Sequence, residues 1–114
     1  MSRTHSTSEA AFHRAAPVFA ALGDPTRLRV IARLCSEGPL SITQLSEGSK
    51  VTRQAITKHL LVLSDAGLTR DRRDGRERIW ELEPARLEAA QNYLDRISAN
   101  WDAALGRLKA FVEE

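Results

Sequence analysis

The chain has 114 residues, enough for one domain with a buried core and too few for two. Its composition, 42% hydrophobic and 28% charged, fits a folded globular chain rather than a disordered one, and a lone cysteine, Cys35, excludes an intramolecular disulfide. The longest strongly apolar run, Leu60-Leu61-Val62-Leu63, falls far short of a membrane span, and the polar stretch from Met1 to Ser8 lacks the apolar core of a signal peptide, so a cytoplasmic protein with no membrane partner is expected.

The net charge of +2 hides a strong asymmetry. Residues 1–47 carry net +1, residues 48–80 net +4 and residues 81–114 net −3. A basic middle beside an acidic end implies one surface that faces a polyanion and another that serves a different contact.

Residues 1–8 are polar and read as a disordered tail. From Glu9 to Leu22, the recurrence of Phe12, Ala15, Ala16, Phe19 and Leu22 predicts a helix, which Pro17 kinks or restarts. Asp24-Pro25 is a helix start, with Asp as N-cap and Pro at the first helical position. Leu28, Ile31, Ala32, Leu34 and Cys35 are the expected apolar stripe of that second helix, with Cys35 as a small buried hydrophobe, and Gly38-Pro39 ends it.

Ser41-Ile42-Thr43-Gln44 has the form of a capping box, and the helix it opens, about Ile42–Glu47, must be short because Gly48 follows. Thr52 caps the next helix, Arg53–Asp65, on which Ala55, Ile56, His59, Leu60, Val62 and Leu63 form the apolar face before Gly67 closes it. Then the period changes. Arg72-Arg73-Asp74-Gly75-Arg76 centres on Asp-Gly, the favoured pair for a two-residue hairpin turn, and predicts a β-hairpin from about Leu68 to Leu82 with an arginine-rich tip. Pro84 starts a last helix that runs toward the C-terminus, roughly 45 Å long at about 1.5 Å per residue.

The expected fold is therefore mainly α with a small β-hairpin, in the order α-α-α-α-β-β-α. Helix, turn, helix and basic hairpin is the layout of a winged helix-turn-helix: residues 9–82 form the DNA-binding domain and residues 83–114 a dimerisation helix. Off the apolar stripe of Arg53–Asp65 stand Arg53, Gln54, Thr57, Lys58, Leu61 and Ser64. Arg pairs bidentately with guanine and Gln with adenine, while Thr52, Thr57 and Lys58 suit phosphate or base. Arg70, Arg72, Arg73, Arg76 and Arg78 on the wing can straddle a phosphate backbone or enter a neighbouring minor groove.

Phe19-Ala20-Ala21-Leu22-Gly23-Asp24-Pro25-Thr26-Arg27-Leu28-Arg29 resembles the A-L-x-D-P-T-R-x-x-I-L opening of ArsR-type bacterial transcriptional regulators. The stretch from Thr52 to Leu68 resembles that family's recognition helix with its H-L-x-x-L-x-x-A-G-L ending, and the segment from Arg72 to Arg76 resembles its R-x-G-R wing. The resemblance covers about Val18–Leu82 and implies a dimeric repressor on operator DNA. By motif position it implies Gln54, Thr57 and Lys58 as DNA contacts and the wing arginines as backbone contacts, with His59 at a helix-packing position. Many members sense metal through a C-x-C-type pair on the first helix of the motif. Here that helix reads Ile42-Thr43-Gln44-Leu45-Ser46-Glu47, and the last helix holds no His or Cys, so neither a metal site nor a cofactor is expected.

On the last helix Leu87, Leu94, Trp101 and Leu108 recur every seven residues, with Ala90, Ile97, Ala104 and Phe111 three after each and Leu105 and Val112 beside them. That a/d seam predicts a homodimer, to which the resemblance adds Phe12 and Phe19 from the first helix. Two half-sites in a palindromic operator on double-stranded DNA follow from that symmetry. A small-molecule effector would fit near the dimer interface, against Trp101 and the neighbouring alanines; the equal alternative is no ligand, with control by abundance. The alternatives are a winged-helix module for protein or RNA, or a metal-responsive repressor with an atypical site. No H-E-x-x-H, glycine-rich phosphate loop or Ser/His/Asp set argues for an enzyme.

Overall fold

The computed structural model describes residues 2–113, with side chains from residue 9 onward. Among these residues five helices and three strands follow in the order α1 (Ser2–Leu22), α2 (Pro25–Glu37), β1 (Leu40–Ser41), α3 (Ile42–Ser46), α4 (Arg53–Asp65), β2 (Thr69–Asp74), β3 (Glu77–Leu82) and α5 (Pro84–Glu113). Helix α1 begins well before the expected Glu9 and takes in the segment read as a disordered tail, apart from Met1, which lies outside the described residues. Residues 2–8 contain neither Gly nor Pro, so nothing in them stops the helix, and α1 also runs unbroken through Pro17.

The helix starts follow the local chemistry. Asp24 accepts the backbone N–H of Arg27 at 3.0 Å and caps α2 ahead of Pro25. Ser41 and Gln44 close a reciprocal box, with Gln44 N–H to Ser41 Oγ at 3.2 Å and Ser41 N–H to Gln44 Oε1 at 2.9 Å. Thr52 caps α4 by accepting from Ala55 N–H at 3.1 Å.

The strands form an antiparallel sheet in the order β1-β3-β2. Strand β1 pairs Leu40 with Trp80 and Ser41 with Ile79, a pairing too short to show any period in the sequence. The hairpin turn also differs from expectation by one residue. Asp74 pairs with Glu77, so the central residues are Gly75 and Arg76, not Asp74 and Gly75. Gly75 has φ +65° and no non-glycine among the described residues has positive φ, which is the pattern of a type II′ turn with Gly first. An Asp-Gly type I′ turn would force Asp74 into the left-handed region.

The core gathers Val18 and Ala21 of α1, Val30, Ile31 and Leu34 of α2, Leu45, the α4 residues Ile56, Leu60 and Leu63, Trp80 of the sheet and Ala90 of α5. Trp80 is its largest side chain, and its indole N–H has no hydrogen-bond partner among the described residues.

Three apolar stripes are placed differently from expectation. On α1 the small residues Ala11, Ala15, Val18 and Ala21 are buried, while Phe12 stays exposed and Phe19 half-buried, both beside Tyr93 of α5. On α2 the buried line is Val30, Ile31 and Leu34; Leu28 and Cys35 lie about 100° round the helix and are exposed, so Cys35 is not the buried hydrophobe expected. On α4 Val62 is exposed and His59 half-buried.

Helix α5 departs most from ordinary packing. Ala90 is its only buried residue among those described, and Leu87 packs on the core beside it. From Leu94 on, the helix leaves the body of the molecule, which measures 65 × 32 × 20 Å.

Candidate nucleic-acid interface

Helix α4 is held by its buried line and by a polar tie to α1 and α2. Arg27 donates through Nε to the Ala21 carbonyl at 2.6 Å, and its Nη1 lies 3.4 Å from His59 Nδ1. Asp24 Oδ2 stands 3.8 Å from the same nitrogen. The Arg27 backbone N–H, then His59 and the Arg27 guanidinium, hold the Asp24 carboxyl below its ordinary value despite some desolvation. The Asp-Pro-Thr-Arg stretch is thus a bracket that fixes α4 against α1 and α2, and His59 belongs to that bracket.

Away from this tie α4 turns Gln54 and Lys58 outward, and Arg53, at the first turn of the helix, is exposed as well. Gln54, Thr57, Lys58 and the capping Thr52 line one shallow concavity. Thr57 is half-buried and its hydroxyl donates back to the Arg53 carbonyl at 2.9 Å, leaving its methyl and oxygen lone pair for an incoming ligand. The Thr52 oxygen accepts from Ala55, so its own O–H remains a donor for a phosphate oxygen.

The wing lies beside this surface. Arg53 at the start of α4 shares a cleft of about 230 Å³ with Arg76 and Arg78 of the hairpin, closed behind by Ser41, Ile42 and Thr43 and with Glu77 as its one acid. Recognition helix and wing therefore converge three guanidinium-bearing residues on one small space. The hairpin tip also sets like charges directly opposite each other, Arg73 against Arg78 and Asp74 against Glu77. Such pairs disfavour the hairpin. Arg78 is relieved by Asp71 at 2.6 Å, and Arg72 is held by Glu81 at 3.0 Å. Arg70, whose side chain also points from the wing, binds Glu83 at 2.8 Å. Arg73 and Arg76 make no salt bridge among the described residues. The five wing arginines thus divide into three already partnered by carboxylates and two that are not, a distinction set by strand register and invisible in a list of basic residues.

The expected dimer residues form two groups. Phe19 and Leu87 pack partly on the chain's own core. Phe12, Leu94, Ile97, Trp101, Leu105 and Leu108 are exposed, Trp101 by 65%. Among the described residues no group of three or more His, Cys, Asp or Glu is placed to hold a metal, and no helix is long and apolar enough to cross a membrane.

Residues 22–72 match a family model described as a helix-turn-helix domain. Over 85 residues the chain is 40% identical to the HTH-type transcriptional regulator Rv2034 of Mycobacterium tuberculosis, a match covering 75% of this chain and 76% of that protein. An ArsR-like transcriptional regulator from Rhodococcus sp. RHA1 has a similar solved structure, with a TM-score of 0.75 at 35% identity over 90% of this chain and 95% of that one. The transcriptional repressor BigR from Xylella fastidiosa shares the fold, with a TM-score of 0.63 at 24% identity over 87% of this chain and 96% of that one.

Proposed function

This chain belongs to the ArsR-type winged helix-turn-helix transcriptional regulators, DNA-binding proteins rather than enzymes, and from that premise we propose that it works as a homodimeric repressor that senses no metal. Each protomer lays α4 in a major groove with Gln54 and Lys58 toward base edges and Thr52 and Thr57 at the groove wall. The wing takes the adjoining backbone through Arg73 and Arg76, with Arg72 and Arg78 exchanging their carboxylates for phosphate. Exposed ion pairs of this kind are worth little, so the exchange is cheap.

The observation that carries the reading is the convergence of Arg53, Arg76 and Arg78 on one cleft beside the polar face of α4. It couples backbone anchoring to base reading in one rigid unit. The exposed apolar seam of α5 supports the dimer, which would place the two recognition helices on successive grooves of a palindromic operator, roughly 34 Å apart or a small multiple of it. Since Trp101 is exposed on a single chain, any small-molecule effector pocket that it lines is completed by the partner copy.

Gel shifts across a salt series test the electrostatic part. Affinity should fall steeply with salt, and a salt-independent affinity would overturn the model. Gln54→Ala should relax sequence preference more than it weakens binding to unrelated DNA; the reverse would move base reading elsewhere.

A further inference from the structure

Helix α4 carries two adjacent exposed aliphatic residues, and they face different neighbours. Val62 is 41% exposed and lines a groove with Pro17, Ala20 and Ala21 of α1 and Ala66 beyond its own helix, where Asp65 is the one charged residue, so its surroundings are mostly apolar. Leu61 is 49% exposed and lies elsewhere. It follows Gln54 by seven residues, two helical turns, and so points within about 20° of the same direction, about 10.5 Å further along the axis. It is also three residues from Lys58 and four from Thr57, which makes it their neighbour on the helix surface. The face assigned to the major groove therefore continues from Gln54 and Lys58 onto a bare isobutyl group.

We propose that Leu61 is a specificity-determining residue that contacts the methyl group of one thymine in each operator half-site. The proposal rests on the reading that α4 enters the groove with Gln54 and Lys58 toward the bases. In the major groove thymine alone among the four bases presents an apolar group at its edge, and apolar side chains are what recognise it. A solvent-facing leucine gains nothing from water, whereas a thymine methyl removes apolar surface from water on both partners. A helix laid in the major groove presents successive turns to successive base edges, so Gln54 and Leu61 can meet different base pairs. Amide-based reading of one base pair and methyl-based reading of another can thus come from one helix face.

Replacing single thymines by deoxyuridine removes the methyl and leaves every hydrogen-bonding group in place. The full-length protein is first used to select a binding site from a random duplex library, and each thymine of that site is then replaced in turn. One thymine per half-site should cost wild type about fourfold in Kd, the worth of one buried methyl-sized group, and about fifteenfold when both half-sites are changed. Leu61→Ala, at an exposed position, should fold normally and bind thymine and uracil duplexes equally; a uracil penalty that persists in this variant comes from DNA shape and overturns the assignment. Gln54→Ala should keep the methyl effect. A defined site with no thymine at which wild type and Leu61→Ala differ overturns the Leu61 assignment alone and leaves that side chain to another partner. Failure to select any site overturns the groove reading together with the proposal.

Discussion

The helix-turn-helix body and the outer part of α5 solve opposite problems. Between Pro25 and Leu82 most apolar side chains are inside and the charged ones outside: Ile56, Leu60, Leu63 and Trp80 are buried while Arg53, Gln54, Lys58 and Arg76 are exposed, and Leu28, Leu61 and Val62 are the large apolar exceptions. From Leu94 to Val112 the pattern reverses, and Trp101, Leu105, Leu108 and Phe111 face outward along a helix that leaves the body. The first region is satisfied within one chain; the second is patterned for burial that one chain does not supply. A soluble helix keeps such a stripe when something covers it. The charge divides the same way, positive over residues 48–80 and negative over 81–114, so the uncovered helix is repelled from the polyanion that the body attracts.

That contrast sorts variants by the property they damage. The largest effect is expected at Trp80→Ala, which empties the centre of the core and should cost about 3–5 kcal/mol in chemical denaturation, abolishing DNA binding through unfolding. A much smaller loss would mean that the sheet is not part of the cooperative core. Next comes Trp101→Glu, which should leave the body folded, give monomers in sedimentation and weaken operator binding by about 10²–10⁴-fold as two-site attachment is lost. Unchanged assembly would remove the seam from the interface.

Smaller effects separate the wing arginines. Arg73→Ala and Arg76→Ala should each lower the salt dependence of log K by about one unit per half-site. Arg72→Ala should lower it less, because Glu81 competes with phosphate for that guanidinium, and Glu81→Gln should strengthen DNA binding by removing the competitor. Equal slopes for all the arginine variants would show that register does not divide them. The smallest effect belongs to Asp24. Its carboxyl is held below the ordinary value chiefly by the Arg27 N–H, so it adds stability above the unfolded-state pKa, and that contribution fades as pH falls through the lowered value. Asp24→Asn should flatten stability against acid pH while still capping α2; an unchanged acid profile would remove Asp24 from the bracket with Arg27 and His59.

Much of the body was legible because its signals are local. A cap and its partner lie three residues apart, so Asp24, Ser41 and Thr52 mark their helices, and Arg53–Asp65 has the boundaries expected from Thr52 and Gly67. What was not legible depends on tertiary choice. Strand β1 exists because Leu40 pairs with Trp80 across a chain separation that no short pattern reveals. Helix α1 offers both a phenylalanine line and an alanine line, and close helix packing selects the alanines for the core. Leu28 and Cys35 fall off the core line because Val30 defines it instead. At the site, residue types identified the basic wing and polar helix face, while only strand pairing distinguishes Arg72 and Arg78, with carboxylate partners, from Arg73 and Arg76. Leu61 could be found off the apolar stripe in the sequence, but its common direction with Gln54 acquires meaning only beside the neighbours of Val62.

The division between a self-sufficient body and an uncovered α5 is tested most directly by the mass of the full-length chain at sedimentation equilibrium, at concentrations where it binds DNA. The expected result is a single species of twice the 12.7 kDa chain mass, unchanged by high salt because the seam is apolar. A 12.7 kDa monomer under those conditions would contradict it.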